Sequence, residues 1–187
     1  MILEGLVTTR NADGTTNVSP MGPRVATDMR TFTLRPFQSS TTYQNLLRHG
    51  EGVLHVTDDV ELLAAAAIGR VQPPLAAIVN FPIPRLADTC RWYAFRVTLL
   101  DNRQERTTIQ CEVVASGCER EFFGFNRAKH AVLEGAIMST RIGIVPDEEI
   151  RREFARWSVI VGKTAGDSEQ RAWRMLLEYV DKRLSSS

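Results

Sequence analysis

The spacing of hydrophobic residues changes once along this chain, and that change limits the folds it can adopt. Up to about residue 118, apolar residues occur in short runs rich in Val, Leu, Thr and Phe, which are typical of β-strands bounded by turns. From Asn126 onward they recur at intervals of three and four residues, which is the period of an α-helix. We therefore predict a mostly β domain over residues 1–118 and a helical domain over residues 119–187.

The β part contains six predicted strands, several of them joined by short turns. Their ranges are Ile2–Thr9, Thr16–Ser19, Thr31–Arg35, Gly52–Thr57, Arg91–Leu100 and Thr107–Ala115. Asp13-Gly14 favours a tight hairpin between the first two strands, and the polar stretch 101–106 predicts a hairpin between the last two. Strands joined by hairpins run antiparallel, so we expect antiparallel pairing.

A proline-rich segment interrupts the β part. It follows a short helix that the alanines predict over Val60–Ile68. Four prolines between residues 73 and 84 argue against helix interiors and central strands, because proline lacks an N–H donor. We therefore predict an irregular segment over residues 69–90, with at most a short strand at Ala76–Asn80. An irregular segment of this length often covers a site.

Three helices are predicted in the C-terminal part. The first begins near Asn126. The second begins at Pro146, because proline followed by acidic residues is favoured at a helix N-terminus. The segment Gly162–Gly166 ends that helix, and the last helix begins near Asp167 or Ser168.

The composition argues against several classes of partner. The 187 residues carry 23 Lys and Arg against 22 Asp and Glu, so the net charge of +1 creates no field that would recruit nucleic acid or a membrane surface. No apolar run approaches the roughly 18 residues of a membrane span, and the N-terminal residues lack the pattern of a signal peptide. A cytoplasmic location is therefore expected. Three cysteines at irregular spacing predict reduced thiols and no zinc site.

A Ser-Pro-Met-Gly-Pro sequence follows the second predicted strand. Pro20 is expected to end the ladder after Ser19, and Gly22 is expected to let the backbone pass close to a bulky ligand. The alternative is a simple hairpin exit that two prolines stiffen.

Four hydroxyl residues, Ser39 to Thr42, precede a helix predicted over Tyr43–Arg48. The free N–H groups of a helix N-terminus favour an anion, and Arg35 would add a charge-assisted contact. The alternative is that Thr41 or Thr42 is only the N-cap.

Charged residues form a stripe on the first C-terminal helix: Arg127, His130, Glu134 and Arg141. Such a stripe is more often a solvated or subunit-facing ladder of ion pairs than a catalytic set. His130 is kept as a candidate acid or base because its ordinary pKa lies near neutrality. No third ligand joins His130 and Glu134 at a recognisable spacing, so no metal site is expected.

Several short motifs in order carry a family resemblance. They are Asn17-Val18-Ser19-Pro20-Met21, Thr31 to Arg35, Thr42-x-x-Asn45-Leu46 and Val53-Leu54-His55-Val56-Thr57. This order resembles the FMN-binding split β-barrel superfamily, in particular its flavin-reductase branch. Leu34-Arg35-Pro36-Phe37, Thr57-Asp58-Asp59 and Asn126-Arg127-Ala128 extend the resemblance over nearly the full length to one uncharacterised family within it.

The resemblance implies a split antiparallel β-barrel with a helical C-terminal region and one FMN per subunit. The cofactor-binding residues it implies are Asn17, Ser19, Pro20, Met21, Arg35, Thr41, Thr42 and Asn45. It also implies a homodimer with the flavin near the subunit interface, and a flavin-dependent oxidoreductase or flavin-reductase-like activity on an unknown partner. The alternatives are a non-catalytic flavin carrier, sensor or interaction module, and a barrel that has lost its flavin.

Overall fold

A computed structural model of the chain describes residues 1–69 and 71–185. It divides into two compact units. We call Met1–Thr57 with Gln72–Phe122 the barrel unit, and Asp58–Val71 with Phe123–Ser187 the helical unit. The division into domains 1–118 and 119–187 stays a prediction.

The barrel unit is built on a seven-stranded antiparallel sheet with one helix, α1, and a separate two-stranded hairpin. Its elements are β1 (Gly5–Arg10), β2 (Thr16–Met21), β3 (Arg24–Val25), β4 (Thr31–Leu34), α1 (Thr41–His49), β5 (Glu51–Val56), β6 (Leu75–Ile78), β7 (Phe81–Leu86), β8 (Arg91–Asp101) and β9 (Thr108–Cys118). The strand order in the sheet is β2-β1-β5-β8-β9-β4-β3, and β6 pairs with β7. The predicted antiparallel pairing is therefore confirmed.

Both predicted hairpins are present. Between β1 and β2, Gly14 adopts a φ of 86°, a left-handed conformation that glycine takes without steric cost. The chain then returns so that Thr9 lies opposite Asn17. The second hairpin joins β8 to β9, which pair from Asp101 opposite Thr108 back to Arg91 opposite Cys118.

The hydrophobic core of the barrel unit lies between the sheet and α1. Its fully buried members include Val7, Leu34, Leu46, Leu54, Phe95 and Ile109. Each such side chain contributes about 1.5–3 kcal/mol through removal of apolar surface from water. Leu46 belongs to α1, so its burial anchors that helix against the sheet.

The second strand differs from its prediction. β2 does not end at Ser19 but continues to Met21, with Pro20 opposite Leu6. The physical reason is that β2 is an edge strand, where a proline can face outward without removing a ladder hydrogen bond. A Cβ on Gly22 would lie 3.2 Å from Ile2 Cγ2, so the chain itself packs closely on this glycine. The expected end of the ladder after Ser19 is therefore wrong, and the approach of a ligand at Gly22 stays a prediction.

The proline-rich segment also differs from its prediction. Its residues 75–86 form the hairpin of β6 and β7, with Asn80 at a φ of 59° in the turn. Neither Pro82 nor Pro84 is among the residues that pair across the hairpin, so no ladder bond is lost. Arg70, part of the predicted irregular segment, lies outside the described residues.

The helical unit contains α2 (Val60–Ala67), α3 (Arg127–Ser139), α4 (Asp147–Thr164) and α5 (Asp167–Leu184). The three predicted C-terminal helices are confirmed as far as Ser185; Ser186 and Ser187 lie outside the described residues. α2 contacts α3 and α5, and Glu61 accepts a 2.8 Å hydrogen bond from Arg171 Nη2. This ion pair lowers the pKa of Glu61.

Candidate functional site

The N-terminus of α1 is capped by a residue that the sequence did not single out for this role. Ser40 has extended backbone dihedrals, and its Oγ accepts a 3.2 Å hydrogen bond from the N–H of Tyr43. The predicted cap at Thr41 or Thr42 is therefore wrong. Both threonines instead occupy the first turn of α1, where backbone N–H groups have no intrahelical acceptor.

The side chain of Asn17 connects β2 to the first turn of α1. Its Nδ2 lies 3.1 Å from Ser19 Oγ, 3.3 Å from Thr42 Oγ1 and 3.2 Å from Thr9 Oγ1. The structure thus brings three of the predicted cofactor residues, Asn17, Ser19 and Thr42, into one hydrogen-bonded group. They are separated by up to 25 positions in the sequence.

Asn45 lies one turn further along α1 and is 2% exposed. Its Nδ2 donates to Thr9 Oγ1 at 3.0 Å and to Asn11 Oδ1 at 2.8 Å. Its Oδ1 accepts from Arg48 Nη1 at 3.3 Å. Both amide hydrogens of Asn45 are therefore engaged within the chain.

Thr9 is the residue of this group that the sequence reasoning missed. It is fully buried, and its Oγ1 is within hydrogen-bond distance of both Asn17 and Asn45. The signal was present in the predicted hairpin at Asp13-Gly14, since its register places Thr9 directly opposite Asn17.

Arg35 follows β4 and begins the connection to α1. Its Nε is buried and has no hydrogen-bond partner among the described residues. A buried donor without a partner costs about 1–3 kcal/mol, and more when the group is charged. The only other buried side-chain nitrogen or oxygen without a partner in residues 1–69 and 71–185 is His49 Nε2. An anion beside Arg35 would remove this cost.

The connection between β4 and α1 is held by the tip of the β8–β9 hairpin. Gln38 Nε2 donates to the carbonyls of Asn102 and Gln104 at 2.8 and 2.9 Å. Asn102 Nδ2 donates to Tyr43 Oη on α1 at 3.0 Å, and the guanidinium of Arg106 lies 4.9 Å from the centre of the Phe37 ring. These contacts fix the start of α1 from residues some 60 positions later in the chain.

The remaining predicted cofactor residues differ in accessibility. Pro20 and Thr41 are exposed. Met21 is partly buried and packs against the core of the barrel unit. The predicted residues therefore lie on β2, in the β4–α1 connection and in α1.

His130 lies on α3 in the helical unit and is exposed. Its ring stacks on Phe125 with 5.9 Å between centroids. In the part of the chain that the structure describes, no ion pair joins Glu134 to Arg127, His130 or Arg141. These charges therefore do not pair with one another along the helix, and a subunit-facing role for the stripe stays a prediction.

Two titratable residues, His55 and Cys111, are buried inside the barrel unit. His55 Nδ1 lies 3.1 Å from the carbonyl of Leu6, and its Nε2 accepts a 3.0 Å hydrogen bond from the N–H of Leu86. Burial lowers the pKa of His55 to about 4 and raises the pKa of the Cys111 thiol to about 12. Near neutral pH, His55 is thus an uncharged bridge between strands and Cys111 is an unreactive thiol.

The described residues contain neither a cluster suited to a metal ion nor a helix suited to a membrane. No group of three or more His, Cys, Asp or Glu residues is arranged to hold a metal ion within residues 1–69 and 71–185. None of the helices in these ranges combines the length and apolar character needed to cross a bilayer.

Two sequence models of one family match the chain. The N-terminal domain of a protein of unknown function, DUF447, matches residues 3–120, and a second DUF447 model matches residues 126–178. The chain belongs to the DUF447 family. The predicted resemblance to an uncharacterised family of the split-barrel superfamily is thereby confirmed. A search of curated proteins finds no match to this DUF447 chain.

Solved structures share the fold. An FMN-bound DUF447 protein from Methanosarcina mazei has a TM-score of 0.83 at 22% identity, over 95% of this chain and 94% of that one. The styrene monooxygenase flavin reductase from Pseudomonas putida S12 has a TM-score of 0.53 at 13% identity, over 64% and 82%. An FMN-binding protein from Thermus thermophilus with bound p-hydroxybenzaldehyde has a TM-score of 0.55 at 15% identity, over 63% and 71%. The predicted split-barrel fold with C-terminal helices is confirmed.

Proposed function

We propose that this DUF447 protein binds FMN at the junction of β2 and α1. The observation that carries the proposal is the contact of Asn17 Nδ2 with Thr42 Oγ1 at 3.3 Å, because it joins the two segments that the resemblance assigns to the cofactor. The FMN bound by the M. mazei protein of the same family supports the same cofactor here.

The phosphate of FMN fits the start of α1. The N–H groups of Thr41 and Thr42 lie in the first helical turn, where the helix dipole favours a dianion. Arg35 would supply its unpartnered buried Nε as a charge-assisted donor. These donors match a phosphate in charge, and the anion would satisfy the guanidinium.

The ring system of FMN fits the polar edge formed by β2. Asn17 and Ser19 carry side chains that hydrogen-bond, and Pro20 offers an apolar surface on an exposed edge strand. Bound FMN supplies hydride or electron transfer, while the protein supplies position and exclusion of water. The homodimer, with the flavin near the subunit interface, and the cytoplasmic location are parts of this proposal.

The cofactor assignment is tested by titrating FMN with the purified protein and following flavin fluorescence. The expected result is saturable binding with one FMN per chain. A linear response at protein concentrations up to the millimolar range would remove the flavin hypotheses and leave only a barrel with helices.

Two functions remain for an FMN-binding chain. The fold that the chain shares with flavin reductases supports the first, a flavin reductase or another oxidoreductase. A non-catalytic carrier or sensor is favoured by the composition of the Asn17 group, since its members Thr9, Ser19, Thr42 and Asn45 are hydroxyls and amides and none is an acid or base.

Anaerobic addition of NADH or NADPH distinguishes the two. We expect loss of the oxidised flavin absorbance with one of the two nucleotides. Unchanged absorbance with both would leave nicotinamide-dependent oxidoreductase activity unsupported and favour the carrier or sensor.

A further inference from the structure

A directed chain of hydrogen bonds runs beside the proposed site. Arg48 Nη1 donates to Asn45 Oδ1, and Asn45 Nδ2 donates to Asn11 Oδ1. Asn11 Nδ2 donates to Thr15 Oγ1 at 2.9 Å, and Thr15 Oγ1 donates to Asp13 Oδ1 at 2.6 Å. A guanidinium only donates and a carboxylate only accepts, so the two ends fix the direction of every bond between them.

This chain of hydrogen bonds determines the orientation of the side-chain amide of Asn45. Because Arg48 needs an acceptor, Oδ1 of Asn45 faces Arg48 and Nδ2 faces the opposite side, towards Thr9. Thr9 is fully buried and Asn45 is 2% exposed, so water does not replace this bond. The position of Thr9 Oγ1 is thus set by α1 as well as by its own strand.

Thr9 in turn acts on Asn17. Asn17 Nδ2 carries two hydrogens and lies within hydrogen-bond distance of the hydroxyls of Thr9, Ser19 and Thr42. This arrangement holds the amide with its nitrogen towards the hydroxyls. Asn17 Oδ1 has no hydrogen-bond partner in the described ranges and remains an acceptor for a ligand.

We propose that Thr9 and Asn45 are positioning residues that hold Asn17 and Thr42 in place for the cofactor without touching it. This inference rests on the proposed binding of FMN. It makes Asn45, which the resemblance implies is a cofactor contact, a residue that acts through Thr9.

The test compares FMN dissociation constants of three threonine variants. Thr9→Val keeps the shape of the side chain and removes its acceptor, and we expect affinity to fall about tenfold. Thr9→Ser restores the oxygen and is expected to bind within about twofold of the wild type. Rescue by serine separates loss of the oxygen from a change in packing.

Thr8→Val is the matched control. Thr8 is equally buried on the same strand, but its Oγ1 donates to the carbonyl of Pro84 at 2.8 Å and not to the Asn17 group. We expect Thr8→Val to lower thermal stability while leaving FMN affinity within about twofold of the wild type.

Three outcomes would overturn the inference. Wild-type affinity in Thr9→Val shows that Thr9 does not position the site, and failure of Thr9→Ser to restore affinity shows that packing dominates. Absence of FMN binding by the wild type removes the proposed function and this inference together. FMN binding by the wild type with the same affinity in Thr9→Val removes this inference alone. If Thr9→Val does not fold, Asn45→Leu removes both donors of the same amide without adding a charge and is expected to give a similar loss of affinity.

Discussion

Arg35 shows most clearly what a single residue implies about the ligand that we propose. Folding places its Nε out of contact with water and provides no acceptor in the described part of the chain. Such an arrangement is destabilising unless something else accepts the hydrogen bond. The phosphate that we propose at Arg35 and the first turn of α1 would accept this hydrogen bond.

Replacement of Arg35 by Met is therefore expected to affect the phosphate and not the ring of the cofactor. We expect the affinity for FMN to fall about tenfold or more, because charge-assisted hydrogen bonds contribute about 1.5–3 kcal/mol. Affinity for riboflavin, which has the same ring and no phosphate, should stay unchanged. Parallel fluorescence titrations with both flavins measure this difference.

Arg156→Met provides the control for charge alone. Arg156 lies on α4 in the helical unit, is exposed and pairs with Glu153 at 3.2 Å. Its replacement removes one positive charge, as Arg35→Met does. This variant should bind both flavins like the wild type. If Arg35→Met loses affinity for riboflavin and FMN equally, Arg35 does not bind the phosphate.

Among the elements, the β6–β7 hairpin depends on a buried histidine. Thr8 Oγ1 donates to the carbonyl of Pro84, and the N–H of Leu86 donates to His55 Nε2. The second bond requires the neutral form of His55, because a protonated Nε2 has no lone pair. The attachment of β7 to the sheet is therefore expected to weaken in acid.

The direction of the pH effect follows from the pKa of His55. Burial lowers this pKa from its ordinary 6.5 to about 4, so the folded state favours the neutral ring. The resulting stability is complete above about pH 6.5 and is lost progressively as the pH falls towards 4. The lowered pKa corresponds to on the order of 3 kcal/mol.

Urea unfolding at pH 7 and pH 5 measures this effect in the wild type and in His55→Gln. The wild type should lose more unfolding free energy between the two pH values than the variant, because Gln has no proton to gain. Equal losses in the two proteins would show that His55 is not responsible.

Two glycines in the helical unit allow a matched test of helix packing. A Cβ on Gly135 of α3 would lie 2.7 Å from Cζ3 of Trp173. Trp173 is buried, stacks on Phe154 and donates to Ser158 Oγ at 3.1 Å, so it has little freedom to move. A Cβ on Gly162 of α4 would meet no atom within 4 Å.

Gly135→Ala and Gly162→Ala should therefore have opposite effects. Overpacking at Gly135 costs about 1–3 kcal/mol, which exceeds the gain in helix propensity, whereas Gly162→Ala is expected to stabilise by about 0.5–1 kcal/mol. Thermal unfolding monitored by circular dichroism measures both. Stabilisation by both substitutions would contradict the close contact of α3 with α5.

The sequence did not predict that β2 continues through Pro20 or that β7 is a strand. Both features depend on where the strand lies in its sheet. A proline is compatible with β2 and β7 only because of which neighbours each strand has, and strand order is a long-range property. The β1–β2 hairpin and the helices could be predicted because their signals, Asp13-Gly14 and the helical spacing of apolar residues, lie within the elements themselves.

At the scale of the whole molecule, the residues of the proposed site also differ in how far the sequence predicts them. Asn17, Ser19 and Thr42 could be predicted from the resemblance. Thr9 could have been predicted from the hairpin at Asp13-Gly14, because its register places Thr9 opposite Asn17. The unpartnered state of Arg35 required the packing of the complete barrel unit, since burial of one atom depends on every neighbouring element.

The proposed homodimer predicts the mass of the particle in solution. Multi-angle light scattering should give twice the 21.0 kDa of one chain. A dilution series in the presence and absence of FMN will show whether the flavin stabilises the dimer, as expected for a cofactor near the subunit interface. A mass of one chain at all concentrations would contradict the dimer.

A crystal structure determined with FMN is the most direct test of the proposed binding site. We expect the phosphate oxygens within hydrogen-bond distance of the N–H groups of Thr41 and Thr42 and of Arg35, with the ring along β2 beside Asn17. A phosphate bound elsewhere, or a β2–α1 junction filled by the chain's own side chains in every subunit, would contradict it.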